Sequence, residues 1–471
     1  MAEKFTLGFV SRATKAEIKS SPRSGFSRVE TDSRKDLSGA LFVALKGERF
    51  DAHDFVSQAV AAGAHGVLIH EWREDYEALK EKADFLLVPD TLKALQELAR
   101  AWRRQCDFIV VGITGSNGKT TTKELAHQIL KNFCSTSASP GSFNNHWGVP
   151  LSLLMAEASD KVVLQEMGMN HAGEITQLCH IAEPDIVVVT TVGSAHIGEL
   201  GSVEAIKKAK GEIYRATPQG FHIFNIDNEH TLSLYEEDKK AGFPKERLLT
   251  FSAFNPEAQV YLRSGSLTAE GMEVSGRLKQ TSGKSVLKAF GRQTVVNLMA
   301  ASGIALALKM EPQKIFENYA KIRFSTWGRN QWLHPQGGPA IIFDGYNANP
   351  DSMKMLLKNL YELEVTGEKI FVFGDMRELG ELSESAHGAV AEFAGQIGLS
   401  KIWYMGAYGS AVQKALRKSE YQGELTLSED FDAATAARFY RNLKPSDVVA
   451  LKASRGSRIE RVLQSWGVDG F

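Results

Sequence analysis

The sequence is poor in cysteine and has almost no net charge. Its 471 residues include three cysteines, Cys106, Cys134 and Cys179, whose spacing fits neither a metal site nor an even set of disulfides. Such usage is typical of a reducing compartment, where buried thiols stay free. The formal net charge of −1 gives no global attraction to nucleic acid or to a membrane surface. We therefore expect a cytoplasmic protein whose partners do not include nucleic acid.

The sequence also has no long apolar run. A membrane-spanning helix needs about 18 apolar residues, and no stretch approaches that length. The N-terminus does not combine a charged start with an apolar stretch, so we expect neither a signal peptide nor a membrane span. Hydrophobic residues make up 43% of the chain and charged residues 24%, as in an ordinary globular protein. A chain of 471 residues is too long for one core, and two to four domains are expected.

Apolar runs alternate with helical patterns in three successive α/β units, which we place at residues 1–105, 106–328 and 329–471. Strands are predicted in the first unit at 41–45, 67–69 and 85–88. The second unit is predicted to hold a parallel sheet covered on both faces, with strands at 162–164, 186–189 and 223–224. An antiparallel excursion is expected at 258–290, followed by helices at 294–309 and 312–321. The third unit is predicted to be doubly wound, with strands at 340–343, 370–373, 402–405 and 448–451.

A glycine-rich segment with one lysine and two adjacent threonines opens the second unit. Residues 112–121 read Gly-Ile-Thr-Gly-Ser-Asn-Gly-Lys-Thr-Thr. The apolar run 108–111 precedes them, and a helical pattern follows with Leu125, Ile129, Leu130 and Phe133 on one face. A strand, a glycine loop and a helix form the context of a phosphate-binding loop. Glycines let backbone N–H groups turn toward a phosphate, and the helix N-terminus adds a favourable dipole.

Within this segment we expect Lys119 to reach the terminal phosphates of a nucleotide and the Thr120 hydroxyl to hold Mg²⁺. The spacing departs from the strict phosphate-loop pattern because the glycines are Gly112, Gly115 and Gly118. The alternative is a glycine-rich turn that binds nothing. Lysine and threonine at the helix start favour phosphate binding, because a turn does not require them.

Four polar residues follow predicted strands, at the point where ligands bind in open α/β sheets. Glu166 follows the strand at 162–164, and His196 follows the strand that begins at 186. Asp344 and Asp375 each end a strand of the third unit. Each residue alone could be a helix cap or a structural histidine. Four such positions in a chain with a phosphate loop favour an active site.

Lys210 is predicted to lie on the inward face of a helix at about 202–216, with Ser202 as its N-cap. The same face carries Ile206, Ala209, Ile213 and Tyr214, whereas Lys207 and Lys208 are expected to point to solvent. A buried ammonium group needs a partner. Lys210 could extend its ammonium to the surface or pair with Glu174 or Glu212. A lysine with a lowered pKa could instead react with CO₂, and its carbamate oxygens could then hold Mg²⁺.

Several further motifs resemble those of the Mur ligase family. They are Phe-Asn-Asn-His-Trp-Gly-Val-Pro-Leu at 143–151, Tyr-Asn-Ala-Asn-Pro at 346–350, Gly-Asp-Met-Arg-Glu-Leu-Gly at 374–380 and Lys-Ala-Ser-Arg-Gly at 452–456. The family's loop is also of the Gly-x-x-Gly-x-x-Gly-Lys-Thr-Thr type found here. Residues 31–34 and 39–47 resemble the family's uridine-binding domain. The resemblance covers nearly the whole chain.

The resemblance implies an α/β fold of three domains: a small N-terminal uridine-binding domain, a central P-loop ATPase-like domain with a parallel sheet, and a Rossmann-like C-terminal domain. It implies an ATP-dependent ligase of peptidoglycan synthesis that adds D-alanyl-D-alanine to a UDP-N-acetylmuramoyl tripeptide through an acyl phosphate. Its partners would be these small molecules, with ATP and two Mg²⁺ sites, and we expect a monomer. Two rival functions stay open, namely a sister ligase that adds a single amino acid and a nucleotide switch without catalysis.

The family's functional residues carry over to matching positions of this sequence. The resemblance implies nucleotide contacts from Gly115, Asn117, Gly118, Lys119, Thr120, Thr121, Asn297, Arg329, Asp344, Asn347 and Asn349. It implies metal ligation by Thr120, Glu166, His196 and the carbamate of Lys210, and catalysis by Lys119, Glu166, His196 and Lys210. Ser33 and Arg34 would contact the uridine diphosphate, and Asn144 and Asn145 the muramoyl peptide. Asp375, Ser454 and Arg455 would place the peptide or the incoming dipeptide.

Overall fold

A computed structural model of the chain describes residues 3–47, 50–195, 197–268, 271–323 and 327–469. Within these ranges the strands form a two-stranded ribbon and sheets of five, nine and six strands, which follow one another along the chain. Helices cover the sheets, as the α/β patterning predicted. No helix in the described part of the chain has the length and apolar character needed to cross a membrane.

The first sheet has the order β2-β7-β6-β5-β4, in which β4 to β7 are parallel and β2 is antiparallel. The predicted strands at 41–45, 67–69 and 85–88 correspond to β5, β6 and β7, and β2, β4 and the ribbon β1–β3 were not predicted. The elements of this region are β1 Phe5–Thr6, α1 Leu7–Thr14, β2 Glu17–Ser20, β3 Gly25–Phe26, β4 Arg28–Glu30, β5 Ala40–Val43, α2 Val56–Ala61, β6 Gly66–Ile69, β7 Asp84–Leu87 and α3 Thr91–Gln105, with 3-10 helices at Ala52–Phe55 and Glu74–Leu79.

Helix α3 joins the first sheet to the second. Asp90 caps it by accepting a hydrogen bond from Lys93 N at 2.9 Å. Its buried face carries Leu95, Leu98 and Trp102, which belong to one apolar cluster with side chains of both sheets. The Trp102 indole also donates to the Ala156 carbonyl at 3.0 Å. The first two sheets therefore share a hydrophobic core.

The second sheet has the order β16-β15-β14-β13-β12-β11-β8-β10-β9. Its strands are parallel from β9 to β14. Strand β15 is antiparallel to both β14 and β16, which confirms the predicted excursion. The excursion extends the same sheet. The elements are β8 Ile109–Thr114, α4 Lys119–Leu130, β9 Thr136–Ala138, α5 Gly148–Met155, β10 Val162–Glu166, α6 Glu174–Ala182, β11 Ile186–Val189, α7 Ile197–Leu200, α8 Val203–Lys210, α9 Glu212–Arg215, β12 Phe221–Asn225, α10 Glu229–Lys240, β13 Leu248–Ser252, β14 Val260–Thr268, β15 Gly271–Leu278, β16 Thr281–Leu287, α11 Gln293–Ala307 and α12 Pro312–Tyr319, with a 3-10 helix at Lys245–Arg247.

Two helix predictions for this region need correction. The helix expected at 202–216 is divided at Gly211 into α8 and α9. Ser202 caps α8 as predicted, since its hydroxyl accepts a hydrogen bond from Ala205 N at 3.1 Å. Helix α4 ends at Leu130, so Phe133 lies beyond it. The central strand β8 lies between β10 and β11, which places the loop after it at the middle of the sheet edge.

The third sheet has the order β17-β18-β22-β19-β20-β21, with β17 antiparallel and the rest parallel. All four predicted strands are present, and β17 and β21 were missed because they are short or half-exposed. The elements are β17 Gln331–Leu333, β18 Ala340–Asp344, α13 Pro350–Glu362, β19 Lys369–Gly374, α14 Ser383–Gln396, β20 Lys401–Met405, α15 Gly409–Lys418, β21 Glu424–Ser428, α16 Ala433–Arg441, β22 Val448–Lys452 and α17 Glu460–Ser465, with 3-10 helices at Gly380–Leu382 and Arg455–Ser457.

Candidate functional site

The glycine loop turns between β8 and α4 with two glycines in backbone conformations that side chains disfavour. Gly118 has φ 84° and Gly115 has φ 149°. A Cβ at Gly118 would collide with the Asn297 side chain, and one at Gly115 would collide with Thr190 Oγ1. Lys119 begins α4, and its Nζ donates to the Gly115 carbonyl at 2.8 Å. Loop, lysine and helix start therefore have the arrangement that a phosphate-binding loop requires.

A chain of hydrogen bonds leads from the loop to the end of β10. The Thr120 hydroxyl donates to Glu166 Oε2 at 2.8 Å, and Asn144 Nδ2 donates to Glu166 Oε1 at 2.8 Å. Arg329 Nη2 donates to the Thr120 hydroxyl at 3.1 Å. Thr120 and Glu166 are both buried. Thr120 and Asn144 thus meet at the Glu166 carboxylate, and Arg329 joins them through the Thr120 hydroxyl.

Lys210 is completely buried, as its position on the inward face of α8 predicted. Burial lowers the pKa of its ammonium group well below the ordinary value, and the charge of Lys119 lowers it further. Its Nζ has no hydrogen-bond partner among the described residues. The pairing with Glu212 is wrong, because that carboxylate accepts from Gly173 N at 2.7 Å and from Thr176 N at 3.1 Å.

The remaining charged side chains near Lys210 are engaged elsewhere or exposed. The Glu174 carboxylate accepts hydrogen bonds from the backbone nitrogens of residues 170 and 171, and it does not pair with Lys210. Lys208 is exposed as predicted. Lys207 is not directed freely to solvent, because its Nζ lies 2.8 Å from Glu204 Oε1 and donates to the Ser233 hydroxyl. The lysine at 210 is therefore the buried, unpaired one of the three.

His196 lies outside the described residues, so its predicted place beside a metal stays a prediction. Among the residues that the structure does describe, no three His, Cys, Asp or Glu side chains are grouped as they would be around a metal ion. The oxygen atoms of Thr120 and Glu166 remain the described candidates for ligating a hard cation.

A cavity of about 940 Å³ opens between the second and third sheets over the phosphate loop. The predicted site residues that line it are Asn117, Gly118, Lys119, Thr120, Thr121, Asn144, Asn145, Glu166, Asn297, Arg329, Asp344, Asn347 and Asn349. Seven described residues of the predicted site lie outside this lining, namely Ser33, Arg34, Gly115, Lys210, Asp375, Ser454 and Arg455. The structure therefore brings all the predicted nucleotide residues except Gly115 to one cavity, and it leaves Lys210 and five of the seven predicted substrate residues outside that lining.

The third sheet contributes one wall of the cavity through β18 and the segment after it. Asp344 and Lys452 are paired in register on β18 and β22 and form a buried ion pair. Lys452 Nζ also donates to the Asn347 carbonyl at 2.9 Å. Asn349 caps α13 and donates through Nδ2 to Asn117 Oδ1 at 2.9 Å. This contact joins the third sheet directly to the phosphate loop.

Arg329 lies where the two units meet. Its guanidinium lies over the Tyr346 ring, 4.0 Å from the centroid. The Tyr346 hydroxyl donates to Ser142 Oγ at 2.5 Å, so this side chain also spans both units. Burial of Lys119 lowers the pKa of its ammonium group, the Glu166 carboxylate opposes this shift, and the Arg329 charge adds to it. Two basic side chains thus lie at the loop beside one carboxylate, an arrangement that can accept an anionic ligand.

The remaining predicted substrate residues lie at two other places. Ser454 and Asp375 are adjacent, because Ser454 N donates to the Asp375 carbonyl at 3.0 Å. The Asp375 carboxylate accepts a hydrogen bond from the Tyr404 hydroxyl. Arg455 lies over the Trp327 ring at 4.0 Å from its centroid.

In the first unit Arg34 is exposed and donates to Asp32 at 2.7 and 2.8 Å. This pairing lowers the pKa of the Asp32 carboxyl to about 2. Ser33 lies between them in sequence, in the turn after β4. Nothing in the described contacts ties this turn to the cavity, so the two stay separate sites in the structure.

Among the lining residues that sequence reasoning missed, Tyr346, Asp351 and Lys452 have partners in other parts of the chain. Each lies inside or directly beside a motif that was recognised, so proximity to those motifs was the available signal. Their partners were not predictable, because Ser142, Ser194 and Asp344 belong to distant segments of the chain.

Comparison with protein families gives three consecutive matches. Residues 26–103 match the Mur ligase family, catalytic domain, residues 113–305 match the Mur ligase middle domain, and residues 328–455 match the Mur ligase, glutamate ligase domain. Together they cover most of the chain in the order that the three sheets follow.

Whole-chain relatives are similar over nearly their full length. A UDP-N-acetylmuramoyl-tripeptide–D-alanyl-D-alanine ligase from Bacillus subtilis is 32% identical, and the match covers 93% of this chain and 92% of that protein. The protein of the same name from Escherichia coli is 31% identical, and the match covers 94% of each chain.

Solved structures agree with this grouping. A crystal structure of MurF from Acinetobacter baumannii has a TM-score of 0.86 and 30% identity, with 98% of both chains covered. The structure of MurF ligase from Thermotoga maritima in complex with ADP has a TM-score of 0.79 and 28% identity, and covers 93% of this chain and 96% of that one. The chain therefore belongs to the Mur ligase family, in the group of the UDP-N-acetylmuramoyl-tripeptide–D-alanyl-D-alanine ligases.

Proposed function

We propose that this chain is an ATP-dependent ligase that joins D-alanyl-D-alanine to a UDP-N-acetylmuramoyl tripeptide, a step in making peptidoglycan precursors. The observation that carries the proposal is the hydrogen-bond chain from Thr120 through Glu166 to Asn144 in one cavity. It connects a nucleotide-type loop to the Asn-Asn segment that the family resemblance assigns to the muramoyl peptide. The names of the similar proteins from Bacillus subtilis and Escherichia coli support the substrates.

In the proposed reaction the peptide carboxylate attacks the γ-phosphorus of ATP, ADP leaves, and an acyl phosphate forms. The free amine of the dipeptide then attacks the acyl carbon, loses a proton and expels phosphate. Lys119 lines the cavity and, in its protonated form, lowers the repulsion between two groups that are both anionic. Arg329 adds a second positive charge at Thr120. Residues of β18 and α13 form one wall of the cavity, and this wall would limit access of water to the acyl phosphate.

Magnesium fits the residues at the loop. The Thr120 hydroxyl and the Glu166 carboxylate are hard oxygen ligands and lie together at the inner end of the cavity. Bound there, Mg²⁺ would supply charge neutralisation between the phosphates and the attacking carboxylate. The first metal would be held by these two residues, and His196 and Lys210 would contribute to the second.

Lys210 is proposed to act as a carbamate. A lysine held neutral by burial is nucleophilic, so its Nζ can bond to the carbon of CO₂ with release of one proton. The product is an anion with two oxygen atoms. The absence of any described hydrogen-bond partner at Nζ supports this, because an uncharged, unpaired amine is the reactive form. The reaction would turn an isolated neutral amine into an anionic ligand for a cation.

The other assignments complete the proposal. The nucleotide is contacted by Asn117, Gly118, Thr121, Asn297, Asp344, Asn347 and Asn349. Gly115 shapes the loop beneath the phosphates. Ser33 and Arg34 hold the uridine diphosphate, Asn145 accompanies Asn144, and Asp375, Ser454 and Arg455 place the dipeptide. The enzyme works as a monomer in the cytoplasm, and its three free cysteines support that compartment.

The decisive experiment measures phosphate release from ATP with Mg²⁺ and UDP-N-acetylmuramoyl tripeptide, with and without D-alanyl-D-alanine. Release that depends on the dipeptide is expected. Release only with a single amino acid and a shorter muramoyl peptide would assign the chain to a sister activity. Absence of release with every combination would contradict the ligase and favour a nucleotide switch.

A further inference from the structure

A fully buried lysine that the reaction above does not use lies one helical turn after Lys119. Lys123 is on α4, and none of its surface is exposed. Burial lowers the pKa of its ammonium group, although the Glu166 and Glu124 carboxylates act in the opposite direction. Enclosing an ammonium group is costly unless its donors are matched by acceptors. Its partners therefore indicate what the residue does.

Those partners belong mainly to one loop. Lys123 Nζ donates to the Ser139 carbonyl at 2.5 Å and to the Gly141 carbonyl at 2.7 Å. It also lies 3.6 Å from Glu124 Oε1 and 4.0 Å from Glu166 Oε2. An ammonium group has three N–H donors, so two serve the loop and the third faces carboxylates.

We name residues 139–146 the anchored loop. Pro140 has no N–H donor, and Gly141 has φ 49°. Backbone hydrogen bonds hold the loop from Ser139 N to the Leu164 carbonyl at 2.9 Å and from Gly168 N to the Asn144 carbonyl at 2.7 Å. The carbonyl groups of Ser139 and Gly141 are fixed in addition by the Lys123 side chain of α4. The phosphate-loop helix and the anchored loop are thereby connected through one cation.

The anchored loop makes three contacts that matter for the reaction. Ser139 Oγ accepts from Glu166 N at 3.2 Å, and Asn144 Nδ2 donates to Glu166 Oε1. Ser142 Oγ accepts from the Tyr346 hydroxyl of the third unit. A displacement of this loop would therefore move the Asn-Asn segment, the Glu166 carboxylate and the contact with the third unit together.

We propose that Lys123 is a positioning residue that fixes the anchored loop to the phosphate-loop helix, so that the loop presents Asn144 and Asn145 to the muramoyl peptide in register with the nucleotide. The inference rests on the proposed function for the identity of that peptide. It does not rest on any contact of Lys123 with substrate. A methionine at this position would fill similar space and would leave both loop carbonyls without this donor.

The test compares Lys123→Met with Lys131→Met, an exposed lysine at the end of the same helix. We expect Lys123→Met to raise KM for UDP-N-acetylmuramoyl tripeptide by roughly 10- to 100-fold. The affinity for ADP and the KM for ATP should stay within about twofold of the wild type. Lys123→Gln keeps one donor for the loop and should give an intermediate KM. If Lys123→Met does not fold, the glutamine variant carries the same test.

A double-mutant cycle with Asn144→Ala distinguishes positioning from general weakening. If Lys123 acts through the anchored loop, the double variant should have a KM no higher than about twice that of the worse single variant. Three results would each overturn the proposal. They are a double variant whose rise in peptide KM is the product of the two single rises, an equal rise of the KM values for ATP and for the peptide in Lys123→Met, and an unchanged peptide KM in Lys123→Met.

Hydrogen exchange keeps this inference separate from the proposed function. In Lys123→Met the amides of residues 141–146 should exchange faster, with the rest of α4 unchanged. That result is expected even if wild-type protein fails to release phosphate with the dipeptide, in which case only the ligase assignment falls. Unchanged exchange in the anchored loop would contradict the positioning role itself.

Discussion

The carboxylate of Asp351 accepts two hydrogen bonds from Ser194, at 3.0 Å from its backbone nitrogen and 2.8 Å from its hydroxyl. Asp351 is in the first turn of α13, and Ser194 follows β11 in the central sheet. A Cβ at Gly193 would lie only 2.7 Å from the same carboxylate oxygen, so the Asp351 side chain lies close against the backbone at Gly193. The third unit thus holds the segment that leads in sequence to His196.

Loss of this contact should favour a more open arrangement of the third unit. We expect Asp351→Ala to remove about 1 kcal/mol and to shift the closing equilibrium about fivefold. Small-angle scattering with ADP should show a larger radius of gyration than for the wild type. Lys354→Ala, an exposed change on the same helix, is the control. Equal radii for all three proteins would show that the contact does not hold the units together.

Removal of the Glu166 charge should weaken metal use. In Glu166→Gln the amide can still accept from Thr120, but the site loses its anionic oxygen. The Mg²⁺ concentration for half-maximal activity should rise at least about tenfold. Thr120→Ser keeps a hydroxyl and should stay near the wild type, whereas Thr120→Val should resemble Glu166→Gln. Unchanged Mg²⁺ dependence in Glu166→Gln would remove this carboxylate from the proposed metal site.

The proposed carbamate gives a rescue experiment. Lys210→Ala should lose nearly all activity, and a short-chain carboxylic acid or bicarbonate should restore part of it by supplying an oxygen ligand. With ¹³C-labelled bicarbonate, wild-type protein should show a carbamate resonance that Lys210→Ala lacks. Lys208→Ala is the control, since that side chain is exposed on the same helix. Full activity of the unsupplemented Lys210→Ala protein would exclude the carbamate from the mechanism.

Stability should depend on pH through a buried carboxyl in the first unit. Asp84 has no exposed surface, and one of its oxygens accepts from Arg23 N at 2.7 Å. The other oxygen has no hydrogen-bond partner among the described residues. Burial raises the pKa of this carboxyl from 3.8 to about 6. The folded state therefore binds the proton more tightly than the unfolded state does.

Ionisation of Asp84 therefore lowers the free energy of unfolding. Below pH 3.8 the carboxyl is protonated in both states and has no such effect. The loss grows between pH 3.8 and pH 6, and above pH 6 it reaches its full value of roughly 2 to 3 kcal/mol. Asp84→Asn cannot ionise, so its stability relative to the wild type should increase over this range and then level off. Denaturant unfolding between pH 4 and 8 measures the difference in the free energy of unfolding between the two proteins. A pH-independent difference between the two proteins would contradict the raised pKa.

We expect Tyr346 to support activity with ATP through two contacts that can be removed separately. Tyr346→Phe keeps the ring under Arg329 and loses the hydroxyl that donates to Ser142. Tyr346→Leu loses both contacts. We expect kcat/KM for ATP to fall about fivefold in the phenylalanine variant and further in the leucine variant. Tyr361→Leu, an exposed tyrosine on α13, should be neutral. Equal losses in both variants at position 346 would assign the effect to the hydroxyl alone.

Local patterns were sufficient for the elements that carry the site. The apolar runs that became β10 and β11 are buried throughout, and those of β18 and β19 are buried after the first residue of each strand, so all four stand out from their surroundings. Ser202 and the inward position of Lys210 followed from helical spacing alone. By contrast, β2 and β21 are largely exposed edge strands with weak apolar patterns, and the sequence offers no comparable signal for them.

Pairing between distant segments could not be read in the same way. Lys452 and Asp344 are 108 residues apart and meet because β22 is inserted between β18 and β19. Lys207 was expected in solvent, yet Glu237 on α10 lies 3.4 Å away and helps to cover it. Such contacts depend on strand order and on helix packing, which short sequence patterns do not specify.

The core shared by the first two sheets has a practical consequence for hybrid enzymes. Trp102 and Leu98 of α3 pack in the same cluster as Val149 of α5 and Leu178 of α6. Replacing residues 1–105 with those of a sister ligase would bring together side chains from two proteins whose shapes do not match across this shared core. Hybrids that take α3, α5 and α6 from one parent keep these packing contacts, so the first sheet is better exchanged together with that whole interface than alone.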